Sequence, residues 1–183
     1  FRTNRVAFMT DICAFFHNVL VDERDVQAFR YLWFKDEQMK EIATFLFLAH
    51  VFGGAASSAI TNYVLRYHSE RIRGLFPDNV VDMIRNLFYV DDGSGGADSV
   101  EKAILLKAQL TEAMALGGFE LGKWKSNFDE LLDGEKQEEE WTRVLGVAWK
   151  PKEDVFTFHF DEERILRPAF TPRDFLAISH QLY

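Results

Sequence analysis

The sequence predicts an α+β fold, on two observations. Strand-like and helix-like segments follow one another without the regular strand–helix alternation of a parallel α/β protein. The 183 residues are 48% hydrophobic and 15% aromatic, and the eighteen phenylalanines suit a well-filled interface between sheet and helices. A chain of this length holds one domain, or a somewhat long one, with a real core.

The elements follow in order. Arg5 to Thr10 is a short strand-like run that stops at Asp11. Asp22-Glu23-Arg24-Asp25 is a capped start for a short helix. Ala28 to Phe34 and Ile42 to Leu48, two aromatic and aliphatic runs about Lys35-Asp36-Glu37, predict a β-hairpin. Phe52-Gly53-Gly54 breaks the chain before a helix from about Ala56 to Arg71. Pro77 opens a segment with Val80, Val81, Ile84 and Leu87 at helical spacing. Asn86 to Val90 then predicts a buried strand that ends in Asp91-Asp92 and turns through Gly93-Ser94-Gly95-Gly96. Asp98 or Ser99 caps a helix over Val100 to Leu116, with Glu101 in its first turn and Gly117-Gly118 at its stop. Phe119 to Leu121 is a strand stub, and Val144 to Trp149 and Val155 to Phe160 are two more strands.

Composition excludes several classes. A single cysteine, Cys13, rules out an internal disulfide and fits a reducing compartment. No apolar run reaches membrane-spanning length, no signal peptide is visible, and Phe1 reads as a start inside a longer product. The net charge of −8 argues against a phosphate binder, but the excess is local. Residues 129–140, DELLDGEKQEEE, hold seven acids and one base, a net of −6 that leaves −2 for the rest. A charge run of this kind is read as a solvated segment. There is no G-x-x-x-x-G-K loop and no closely spaced His or Cys pair; His17, His50, His68, His159 and His180 are scattered and read as satisfied or solvated.

Chemistry concentrates at Tyr89-Val90-Asp91-Asp92. Two adjacent carboxylates at a strand tip repel unless a proton or cation neutralises them. Mg²⁺ suits such a site, because it takes a few hard carboxylate oxygens plus substrate phosphates. A Tyr-x-Asp-Asp match arises by chance in roughly one or two chains in a hundred of this size, so it needs support elsewhere. Asp11 supplies some: it also ends an apolar strand, with Phe15 and Phe16 beyond it. If the two strands pair, three carboxylates meet at one sheet edge, suited to two divalent ions and nucleotidyl transfer. Alone, Asp11 reads more readily as a strand-end or cap residue.

Five ordered blocks extend this pattern: Thr10-Asp11-Ile12 with Phe15-Phe16, Phe52-Gly53, Phe88 to Asp92, Gly118-Phe119-x-Leu121-x-Lys123-Trp124-x-Ser126-Asn127, and Leu145-Gly146-Val147. In order and spacing they resemble a reverse transcriptase palm. The KWxSN, FRYLWF and LGVAW stretches are similar to the BEL/Pao class of LTR retrotransposons, as is the ending from Thr171 to Tyr183.

The resemblance implies an antiparallel, RRM-like palm sheet with flanking helices, with part of the fingers, over residues 1–150. Residues 151–183 would begin the thumb or connection. It implies an RNA-directed DNA polymerase working on an RNA or DNA template with a primer and deoxynucleoside triphosphates, with Mg²⁺ (two ions) or Mn²⁺. Asp11, Asp91 and Asp92 would be the catalytic acids and metal ligands, with the backbone carbonyl of Ile12. Phe16 would exclude a ribose 2′-hydroxyl, while Phe52 and Gly53 border the nucleotide. Either Lys123 or Lys125 would serve the triphosphate, and Leu145-Gly146 would grip the primer. Partners would include the ribonuclease H and integrase of the parent polyprotein, inside an intracellular, cytoplasmic virus-like particle and away from membranes.

The chain departs from the family pattern in places. Ser57-Ser58 stands where Ser-Pro is usual, Thr61 where a small Ala is, and Ser94 where an apolar residue follows the Asp pair. On this resemblance, much of the fingers and thumb would lie outside these 183 residues. Two rivals remain open: a non-catalytic remnant of such an element, and an unrelated Mg²⁺-dependent phosphotransferase.

Overall fold

The computed structural model describes residues 3–38, 40–132, 134, 141–144, 147–157, 171 and 176. The chain divides into two compact units, Phe1–Trp124 and Lys125–Tyr183. The fold is α+β with antiparallel strand pairing, as predicted.

The first unit is organised about strand β1 (Val6–Ile12). Val6, Ala7 and Phe8 are fully buried, and only Asp11 in this strand has appreciable exposure. β1 lies inside a four-stranded sheet of order β4-β5-β1-β6, with β4 Phe88–Tyr89, β5 Asp92–Ala97 and β6 Leu121–Ser126. It pairs antiparallel with β5 from Val6 opposite Ala97 to Asp11 opposite Asp92. On its other flank the Thr10 hydroxyl donates to the Gly122 carbonyl at 2.9 Å, and Cys13 N–H to the Glu120 carbonyl at 2.8 Å.

Three helices accompany this sheet: α1 Ser57–Arg71, α2 Asp78–Asn86 and α3 Val100–Leu116. α2 buries Val80, Val81 and Ile84 of the predicted apolar stripe, together with Met83, whereas Leu87 is exposed. Ser99 is the cap of α3; its hydroxyl accepts from Lys102 N–H. The helix stops in a Schellman motif: Phe119 N–H reaches the Met114 carbonyl and Gly118 N–H the Ala115 carbonyl, with Gly118 at φ +76°. This stop drops buried Phe119 at the head of β6. His68 Nε2–H donates to the Ala113 carbonyl at 2.8 Å, and His50 Nδ1 lies 3.2 Å from the Ser57 hydroxyl; both are satisfied core histidines, as read.

The hairpin between residues 28 and 48 forms as β2 (Arg30–Phe34) and β3 (Ile42–Leu46). The second unit carries an antiparallel sheet β7-β8-β9, with β7 Thr142–Val144, β8 Val147–Lys150 and β9 Val155–Thr157. Trp149 is its fully buried anchor and donates Nε1–H to Asp154.

Several expectations are corrected. Asn86 to Val90 is not a long buried strand: β4 has two residues, and Leu87 and Tyr89 are exposed. The glycines that follow are not the turn but the body of β5, where side chains at Gly93 and Gly95, and the Val6 carbonyl at Gly96, take the space a Cβ needs. β1 does not stop before Asp11 but runs through it to Ile12. The segment after Asp22 forms only a 3₁₀ turn, Val26–Ala28. Val144 to Trp149 is two strands with Val144 opposite Val147, not one. The acidic run begins with a 3₁₀ turn, Asp129–Leu131, that buries Leu131 and is followed by buried Leu132, so its start is not simply solvated. Leu145, Gly146, His159, His180 and most of residues 133–140 lie outside the described residues. Among the described residues no helix is long and apolar enough to cross a membrane.

The glycine packing in β5 makes a direct prediction. A Cβ at Gly95 would lie 2.7 Å from Met83 Cε and 2.8 Å from Phe8 Cζ. Gly95→Ala should therefore lose about 1–3 kcal/mol by overpacking. A lowered urea midpoint with an unchanged m-value is the expected signature; an unshifted midpoint would refute this account of the glycine.

Candidate functional site

The acids meet because of strand register. Ile12 N–H donates to the Asp91 carbonyl at 2.9 Å, so 12 and 91 form a hydrogen-bonded pair. The adjacent pair, Asp11 and Asp92, is then of the narrow kind, with Cα atoms about 4.5 Å apart and side chains on one face. Asp91 occupies the two-residue turn between Tyr89 and its partner Asp92. All three predicted acids thus gather at one end of the sheet, and Ile12, the fourth predicted ligand, is bonded to that turn.

Backbone strain is concentrated at the same end. Val90 is held at φ +59°, in the first position of the turn, where hairpins usually place glycine. Ala14 is at +51° and Lys123, inside β6, at +50°. Three of the four described non-glycine residues with positive φ therefore flank the acids. Conformations of this kind cost about 1–3 kcal/mol each and persist where the fold over-determines them.

Asp11 is the most constrained acid. Its Oδ2 accepts from Lys123 Nζ at 2.6 Å, whereas its buried Oδ1 has no hydrogen-bond partner. A Cβ at Gly122 would lie 2.8 Å from Cys13 Sγ and 3.7 Å from that Oδ1, so only glycine leaves this space open. Lys123 is itself pushed above the ordinary lysine range, first by its hydrogen bond to Asp11 and then by the charges of Asp11, Cys13 and Asp91. Among the described residues no three His, Cys, Asp or Glu side chains form a ready-made metal cage. A hard cation does not need one: the orphaned Oδ1, with Asp92 across the sheet, fits an ion that completes its shell from water and substrate oxygens.

The other predicted residues fall as follows. Phe16 is buried in a 3₁₀ turn, Phe15–Asn18, and meets Phe52 edge-on at 5.0 Å, so these two do come together. Phe52 is 83% exposed, and Gly53 beside it is at φ +85° with nothing within 4 Å of a notional Cβ. Lys125 belongs to the second unit and donates to the Thr142 hydroxyl at 2.9 Å. Thr61, which departs from the family pattern, is fully buried with its hydroxyl bonded back to the Ser57 carbonyl at 3.0 Å.

Sequence reasoning missed two features. Cys13 joins the site, which its position two residues beyond Asp11 could have suggested. An open groove of about 510 Å³ also runs between α1 and the acidic turn, lined by Ala59, Asn62, Tyr63, Arg66, Phe88, Tyr89 and Val90. Its signal was the i, i+3, i+4, i+7 spacing of Ala59, Asn62, Tyr63 and Arg66 on one helix face.

No protein-family model matches the chain, and no curated protein matches it.

Two predictions arise here. Asp92→Asn should be better tolerated in a chelator than in Mg²⁺, because it removes a like charge opposite Asp11 that a bound ion would neutralise. Thermal melts in EDTA and in Mg²⁺ check this: the change in Tm should be less favourable with the ion, and equal changes in both would contradict a shared cation site. The Cys13 thiol is raised by burial first, then by the charges of Asp11 and Glu120. Its alkylation rate should therefore reach half-maximum above the ordinary thiol pKa of about 8.5, and Asp11→Asn should move that midpoint down.

Proposed function

We propose that this chain is the palm of an RNA-directed DNA polymerase, a reverse transcriptase of a BEL/Pao-class retrotransposon polyprotein. The observation that carries the reading is the β1–β5 register, which sets Asp11 opposite Asp92 beside the Asp91 turn and leaves Asp11 Oδ1 unpaired. Asp11, Asp91, Asp92 and the Ile12 carbonyl are the groups that would hold two Mg²⁺ or Mn²⁺ ions. Bound there, the ions would supply activation of a primer 3′-hydroxyl and charge neutralisation on the triphosphate and leaving pyrophosphate.

The chain's own residues do the rest. Phe16, braced edge-on by Phe52, forms an apolar wall that excludes a 2′-hydroxyl and so selects deoxynucleotides. Gly53 lets the backbone approach the nucleotide closely. Lys123, within reach of the acids, serves the phosphates. The groove between α1 and the turn presents the exposed rings of Tyr63 and Tyr89 with the Arg66 guanidinium, a surface suited to stacked bases and a phosphate backbone. Such a local patch reconciles nucleic-acid binding with the net charge of −8, most of which belongs to residues 129–140.

A second reading, a remnant without catalysis that at most binds nucleic acid, is favoured by one observation: Lys123 already pairs with Asp11.

Primer extension on poly(rA)/oligo(dT) with Mg²⁺ or Mn²⁺, using the complete polymerase region of the parent polyprotein, separates the two. Extension is expected, with Asp91→Asn reducing its rate at least about a hundredfold, the scale of losing one electrostatic stabiliser. Extension that survives Asp91→Asn removes the assigned acids. A well-folded complete region that extends nothing establishes the remnant.

A further inference from the structure

We infer that Lys123 is a built-in counter-ion for Asp11 that competes with the divalent cation, so that cation binding and release of the lysine are one event. The inference rests on the metal-site reading above and deepens it.

The geometry is specific. Lys123 Nζ sits 2.6 Å from Asp11 Oδ2, a contact 112 residues apart in sequence. The lysine side chain is 76% exposed, whereas that of Asp11 is 19% exposed. The acid is therefore fixed by its strand, and the partner is a long, solvated arm free to leave. The backbone under that arm is at φ +50° inside a strand, a conformation an L-residue adopts only under constraint. The neighbouring Gly122 leaves open the space beside Oδ1, and that oxygen is buried without a partner. One oxygen of Asp11 is thus met by an ammonium while the other is unmatched, an arrangement that satisfies half of what a divalent ion would.

Electrostatics gives the reason for such a device. With no ion present, Asp11 and Asp92 face each other across a narrow strand pair, and Asp91 adds a third charge close enough to act on Lys123. Unneutralised, that cluster opposes the pairing of β1 with β5. One ammonium charge on a flexible stem relieves the repulsion without filling the site permanently. A divalent ion brings twice the charge to the same oxygens, and two cations on one carboxylate repel each other. Arrival of the ion therefore frees the lysine, which is then available to an incoming triphosphate.

The test is Mn²⁺ binding to the 183-residue chain without nucleotide or nucleic acid, read by loss of the free Mn²⁺ electron paramagnetic resonance signal and by calorimetry. Lys123→Met removes the charge and keeps the stem, and Lys123→Arg keeps the charge. Because an exposed ion pair is weak, Lys123→Met should tighten Mn²⁺ by about two- to fivefold, with Lys123→Arg close to the parent. In an Asp11→Asn background, Lys123→Met should give no further gain. Thermal melts of each variant verify folding.

Binding that depends on Asp11 yet is unchanged or weakened by Lys123→Met overturns the competition and leaves the metal site standing. A gain that persists with Asp11→Asn overturns it as well, since the lysine then acts through general charge. Absence of any Asp11-dependent Mn²⁺ binding in folded parent and variants overturns both this inference and the metal reading.

Discussion

The register between β1 and β5 is the constraint on which the acidic end of this protein depends. Six consecutive residue pairs fix it, from Val6 opposite Ala97 to Asp11 opposite Asp92. A slip of one residue would turn β1's buried side chains to the opposite faces and separate the two aspartates. Such a slip is opposed from both flanks. Phe8 and Met83 fit over Gly95, and the Thr10 hydroxyl bonds to Gly122 on β6. The apolar core thus does more than stabilise the sheet: it sets the position of two charges that would otherwise stay apart.

Those charges come with a backbone that is also unfavourable by local rules. Val90 is β-branched yet left-handed, and Lys123 is left-handed within a strand. Glycine at either position would relieve the strain, and glycine is used freely nearby, at 93, 95, 96 and 122. The difference lies in what a side chain meets. At Gly93, Gly95 and Gly122 a Cβ would come within 3 Å of a neighbouring side chain, so glycine is a packing requirement. At Val90 and Lys123 a side chain is retained despite its backbone cost. For Lys123 the compensation is visible in the contact with Asp11, whereas Val90 lines the groove beside α1.

Much of this was legible in the sequence, and the failures have physical causes. Helices α2 and α3 were readable because period and caps agreed: Val80, Val81 and Ile84 on one stripe, and Ser99 and Gly118 at the two ends of α3. The acids were readable as a group because two apolar runs ended in them. The turn was misplaced because Gly93-Ser94-Gly95-Gly96 carries the local signature of a loop, and only the bulk of Phe8, Met83 and Phe88 turns it into a strand. No local rule reveals such a tertiary override. Lys123 and Lys125 were indistinguishable in sequence for a similar reason, since what separates them is the partner each finds, Asp11 for one and Thr142 for the other.

The site also shows why carboxylates that repel can persist in a marginally stable protein. A folded domain of this size has only about 5–15 kcal/mol of net stability, so a cluster of like charges and strained residues is a sizeable fraction of it. Moving either aspartate to an exposed loop would remove the repulsion but also the fixed spacing that makes a pair of acids useful to a cation. Holding Asp11 on the most buried strand fixes its geometry, but burial makes its charge more costly to leave unmatched. The sheet resolves the conflict by division of labour. Rigid strands fix Asp11 and Asp92, a strained two-residue turn presents Asp91, and a solvated lysine arm offsets the charge of Asp11. Each part is unfavourable or weak alone, and together they are consistent with the cation site proposed above.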